Sequence, residues 1–142
     1  MFVDLRSIVY SIHEQVHDRN NLAKKYFDIF SGDFYNTSEY KELPECVKND
    51  IIKVPDDEWE TAAEEFLRIY FNKKNLIRFK ERFNINDSAM VNFWQEMTKL
   101  NLDREWRRFY AEFLFEKAEK WCWENNIHYT DDFHPHEEVF AL

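Results

Sequence analysis

Residues 102–126 read LDREWRRFYAEFLFEKAEKWCWENN, and their spacing decides the fold class. Leu102, Trp106, Phe109, Phe113, Leu114 and Trp121 return at intervals that keep them on one side of a helix. Ala111, Phe115, Ala118 and Cys122 widen that side. A face so broad implies a helix packed against several neighbours at once. Asn101 or Asp103 supplies its start.

Working toward the N-terminus, AMVNFWQEMTKL at 89–100 places Met90, Phe93, Trp94 and Met97 at helical spacing, with Asp87 or Ser88 as cap and Asn84–Asp87 as a polar break. Before it, WETAAEEFLRIYFNKKNLIRFKERF at 59–83 sets Trp59, Ala63, Phe66, Tyr70 and Ile77 on one side, with a bend near Asn72–Asn75. Pro55 followed by Asp56, Asp57 and Glu58 marks a helix start, since proline suits the first turn and acids suit its positive end. Residues 31–57 give no regular period; Thr37 or Ser38 caps at most a short helix ahead of Pro44. The first segment, Phe2 to about Val16, carries Leu5, Ile8, Val9, Ile12 and Val16 on one stripe. Leu22, Tyr26, Phe27, Ile29 and Phe30 resume a helical pattern that stops at Gly32, the natural terminator.

These readings give an all-α fold: a helical bundle of four to six helices over 1–126, with an irregular acidic C-terminal tail over 127–142 that folds back on it. Composition agrees. The chain of 142 residues has one Gly and three Pro, a poor supply for tight β-turns. Its 14 Phe, 7 Tyr and 5 Trp are enough to build a core without metals or disulfides, and 33% charged residues make the helices amphipathic rather than disordered. Cys46 and Cys122 lack CxxC spacing and read as a reduced pair. The start MFVDLRSIVYSIHEQ has no cationic and apolar leader pattern, and no apolar run approaches the ~20 residues of a membrane span, so the expectation is a cytoplasmic protein without membrane contact.

Net charge is -9. It is uneven: residues 68–82 carry six Lys/Arg against one acid, 6 - 1 = +5, and the rest of the chain carries the balance, -9 - 5 = -14. Such a chain repels the phosphates of duplex nucleic acid. The basic run itself reads as a solvated helix face.

Two clusters carry metal-ligand chemistry. HEQVH at 13–17 resembles, in those five residues only, the zincin peptidases, which implies His13 and His17 as zinc ligands and Glu14 as general base. Glu60, Glu64 and Glu65 are candidates for a third ligand. Against this, a zincin helix follows a strand and another helix, whereas His13 sits in the first helix of this chain. Ala23 also stands where the HxxGxxH extension needs histidine. The second cluster is His128, Asp131, Asp132, His134, His136, Glu137 and Glu138, in which His134 and His136 flank Pro135. A tail folded onto the first helix brings His134 and His136 to His13 and His17. The simpler reading is an amphipathic helix with flanking histidines and a solvated acidic terminus, with no cofactor. With one glycine, phosphate loops and nucleophile elbows are excluded.

The surface is then the better guide. Glu105, Arg108, Glu112, Glu116 and Glu119 mark a polar sector of the last long helix, and Trp123 falls inside it. A tryptophan among carboxylates is a candidate interface anchor. The expected role is a non-catalytic protein-binding module that meets a basic, nucleic-acid-handling partner through Trp123, Glu112, Glu116, Glu119, Asp131 and Asp132. In type the chain is similar to bacterial immunity proteins and phage anti-defence inhibitors, which set carboxylates where their target expects phosphates. The alternative is a zinc-dependent hydrolase using His13, Glu14 and His17.

Overall fold

The computed structural model describes residues 2–17, 20–132 and 135–140, with His17 and Val139 described by backbone alone. Helix makes up 62% of the structure, so the helical reading holds in its broad form. The fold is not purely all-α, because short strands form two small sheets. The chain divides into two compact units, Met1–Asp57 with Leu114–His134 and Glu58–Phe113 with Pro135–Leu142.

In the first unit, strand β1 (Val3–Asp4) leads into helix α1 (Leu5–His13), where Asp4 caps the helix by accepting from the Arg6 amide at 3.0 Å. Leu5, Ile8, Val9 and Ile12 are buried, as their spacing predicts. The α-helix then gives way to a 3-10 turn over Glu14–His17 rather than continuing through Val16. Gln15 Nε2 donates to the Pro55 carbonyl at 2.9 Å and fixes that turn.

Residues 22–30 depart from the helical expectation. Tyr26–Asp28 is strand β2, at the centre of an antiparallel sheet between β3 (Phe34–Tyr35) and β4 (Ile51–Lys53). The cause is Asp28, which is buried and accepts from the amides of Phe30 at 2.8 Å and Ser31 at 3.2 Å. Its carboxylate thereby takes two amides that a helix would need. Gly32 ends no helix. It holds φ 80 in the turn joining β2 to β3, and its amide donates to the Asp28 carbonyl at 2.8 Å. Phe27 fills the core here, against Phe34 and Trp121 at ring separations of 4.9 and 5.8 Å.

Asn36, rather than Thr37 or Ser38, caps helix α2 (Thr37–Lys41), in a reciprocal box with Glu39. Pro44 precedes the one-turn helix α3 (Glu45–Lys48). Within the tail, Tyr129–Thr130 forms strand β5, parallel to β1 with Val3 opposite Tyr129. A 3-10 turn follows at His136–Phe140, in the second unit.

The second unit holds α4 (Trp59–Tyr70), α5 (Lys73–Arg82) and α6 (Met90–Lys99). The helix begins at Trp59, beyond Pro55, and breaks at Phe71–Asn72, where Asn72 caps α5 by accepting from the Asn75 amide at 2.8 Å. Tyr70 and Ile77, expected on the buried side, are exposed: Tyr70 is the last residue of α4, and Ile77 lies beyond the break, which takes α5 out of register with the pattern of α4. Ala89 occupies the cap position of α6; Asp87 and Ser88 bond instead to Asn84, through its side-chain amide and its carbonyl.

Helix α7 (Asp103–Glu124) matches the stretch that opened the sequence reading, and its residues contribute to both units. Both α6 and α7 end without glycine. Asn101 (φ 57) and Asn126 (φ 54) take the left-handed position. The next amides, Leu102 and Ile127, donate back to Met97 at 2.8 Å and Cys122 at 2.9 Å, the Schellman pattern.

Candidate functional site

The turn at Asn126 does more than end α7. By sending the chain back toward β1, it lines a groove of about 540 Å³ with the last turn of the helix on one side and residues 127–129 on the other. Phe2 and His128 form one wall, their rings 5.8 Å apart. Trp123 stands at the edge, 77% exposed, and Phe2 is 69% exposed. Cys122 lies beneath, fully buried. A groove of this volume lies in the range typical of binding sites.

Electrostatics around the groove are acidic. Glu119, half-buried, accepts from the Tyr129 hydroxyl at 3.1 Å. Burial first, and then that bond to Glu119, push the Tyr129 phenol above its usual range, so it stays neutral and donates. Glu116 and Glu124 are exposed, and Glu124 is partnered by Lys120 at 3.7 Å. Burial, reinforced by the negative charge of Glu119, pushes the Cys122 thiol up to about 11. At neutral pH about one thiol in ten thousand is then ionised, so the floor of the groove offers packing and no nucleophile.

The structure gathers part of the expected partner-binding set. Trp123, Glu116 and Glu119 lie together on the last turns of α7. Asp131 and Asp132 follow β5, and Asp132 lines a separate hollow of about 200 Å³ with Asp4, Arg6 and Thr130. Glu112 belongs to the second unit, where its Oε1 lies 2.8 Å from His136 Nδ1. Phe2 and Tyr129 were missed, and His128, expected in the C-terminal metal-ligand cluster, lines this groove. Asn125-Asn126 followed by an apolar Ile127 is a legible helix-end signature that announces the reversal, but nothing local in the sequence points to Phe2.

At HEQVH, Glu14 Oε2 accepts from the Lys24 amide at 3.4 Å. The 3-10 turn carries position 17 about 120° around the axis from position 13, against about 40° in a continuous α-helix. His13 is half-buried at the end of α1, and the His17 side chain lies outside the described residues, as does His134. Glu64 pairs with Lys80 at 3.1 Å. Among the described residues no group of three or more His, Cys, Asp or Glu is placed to hold a metal ion, and no helix is long and apolar enough to cross a membrane.

No family model, no curated protein and no solved structure matches this chain.

Proposed function

We propose that the chain is a non-catalytic binding module, an acidic inhibitor of the immunity or anti-defence type, whose Trp123 groove engages a basic surface on a nucleic-acid-handling protein. The observation that carries this reading is the exposed pair Trp123 and Phe2 on a groove whose Tyr129 is bonded to Glu119, with Glu116 and Glu124 exposed on the same last turns of α7. An exposed tryptophan loses little conformational freedom when covered and offers a large apolar area, the properties of an interface anchor. The carboxylates beside it add attraction at a distance and discriminate against acidic partners.

The test is capture with purified wild-type protein and with Trp123→Ala, at low and raised salt, followed by assay of the identified partner's nucleic-acid binding or cleavage. Trp123→Ala is expected to weaken capture by about 2 kcal/mol or more, roughly thirtyfold, and salt to weaken the wild-type complex. Equal capture by both proteins overturns the reading. The alternative, a zinc hydrolase on His13, Glu14 and His17, gains nothing from the backbone there, because the 3-10 turn takes the two histidine positions off one face.

A further inference from the structure

We propose that a groove beside α5 is the docking site for the Trp123 face of a second copy of this chain. The proposal rests on the reading of Trp123 as a recognition surface and names a partner for it.

The groove, of about 500 Å³, is lined by aromatic rings, by two arginines of α5 and by Glu96, whose carboxylate is paired with Lys99 at 3.0 Å. Phe79 lies 5.5 Å from Phe71 and 5.4 Å from Phe83, ring to ring, giving a run of half-buried apolar surface. Arg78 and Arg82 stand four residues apart, so both guanidiniums rise on the same side of the helix. Lys80, between them, is paired with Glu64 at 3.1 Å. Arg78 and Arg82 form no ion pair among the described residues, and both are exposed. Residues 68–82 thus concentrate a charge of +5 in a chain whose remainder carries -14.

The complementary object is on the same molecule. Trp123 is exposed near the end of α7, on turns that also carry Glu116, Glu119 and Glu124, the last of them paired with Lys120 at 3.7 Å: an aromatic knob beside an excess of carboxylates. A guanidinium satisfies both features at once, stacking on an indole face and donating in a fork to a carboxylate. The groove volume is ample for an indole. Since knob and groove are different patches, each association leaves one of each free. The assembly is therefore head-to-tail and grows past a dimer unless it closes into a ring.

Light scattering over a range of concentrations, at low and high salt, tests this on the full chain. Wild-type protein is expected to gain mass beyond that of a dimer as concentration rises and to return to monomer at high salt. Trp123→Ala retains the groove, and a double variant with Arg78→Glu and Arg82→Glu retains the knob. Each alone is expected to need roughly thirtyfold more protein to associate. Mixed in equal amounts, they are expected to form a dimer and stop there. All three positions are exposed, and circular dichroism checks that both variants fold.

A wild-type protein that stays monomeric throughout overturns the proposal. So does a mixture that stays monomeric, or a double variant that associates like wild type. A groove that binds a single-stranded oligonucleotide or an acidic peptide through Arg78 and Arg82, with no self-association, overturns it in favour of that ligand. Loss of self-association in the double variant with Trp123-dependent capture of another protein intact leaves the two readings separable. Capture that ignores Trp123, beside a mixture that dimerises, removes the basic foreign partner and keeps the second copy.

Discussion

The unit built on α4, α5 and α6 is held by a lattice of rings, and the unit that carries both sheets is held by aliphatic packing from α1, a smaller ring cluster at Phe27 and a few special backbone positions. In the first of these, Trp106 lies 5.4 Å from Phe66, 4.8 Å from Phe93 and 5.3 Å from Tyr110, while Phe66 also meets Phe109 at 5.5 Å. Each ring touches several others, so removing one opens a cavity with many walls. In the sheet-bearing unit, Leu5, Ile8, Val9 and Ile12 pack from α1, and the chain's path depends on Asp28, Gly32 and Asn126. One unit is sensitive to volume, the other to conformation.

The largest expected effect breaks the ring lattice. Trp106→Ala should cost about 3–5 kcal/mol in urea unfolding. Trp106→Phe should cost far less, because the buried Trp106 Nε1–H meets no acceptor among the described residues, and phenylalanine removes a donor whose unmet bond costs about 1–3 kcal/mol. Equal losses for the two variants would show that the indole is needed as such, and the contrast in kind between the units would narrow.

Next come the left-handed positions. Gly32→Ala should cost about 1–2 kcal/mol, since alanine at φ 80 brings Cβ against the following carbonyl. Asn101→Ala and Asn126→Ala should each lose about 1 kcal/mol, and the corresponding glycine variants should match the wild type within a few tenths. If alanine is tolerated at Gly32 and Asn126, backbone conformation is not what the sheet-bearing unit depends on; Asn101, in the other unit, serves as the comparison.

The smallest effect concerns Cys122. Its folded thiol titrates near 11, above the usual 9.0, so the folded state keeps a proton that the unfolded chain releases first. Stability from this source is intact below about pH 9 and declines as pH rises toward 11. Cys122→Ala should flatten that decline relative to wild type when unfolding midpoints are compared across the alkaline range. An unchanged slope would mean that the thiol is better hydrated than its burial implies.

Periodicity made the helices readable where it ran for three turns or more, as in α7, α4 and α6. It failed for β2, whose three residues span little more than one alternation, while Leu22, Tyr26 and Phe30 happen to fall four apart. Leu22 and Phe30 are in fact exposed, so their spacing reflects no buried face. Glycine scarcity misled in the same region, because asparagine takes the left-handed position at Asn21, Asn101 and Asn126 and leaves the only glycine for the hairpin. Trp123 was legible from its sector on the helix. The groove beside it was not, because its far wall comes from Phe2, brought there by pairing between segments distant in sequence.

That pairing sets a clock. Val3 and Asp4 meet their partners only at Tyr129 and Thr130. On a ribosome adding about 5–20 residues per second, β1 emerges roughly six to twenty-five seconds before the strand it pairs with. For that interval Phe2 has no His128 beside it and Trp123 has not been made. The groove is thus completed only once residues 127–129 have joined Phe2, so no shorter nascent chain displays it.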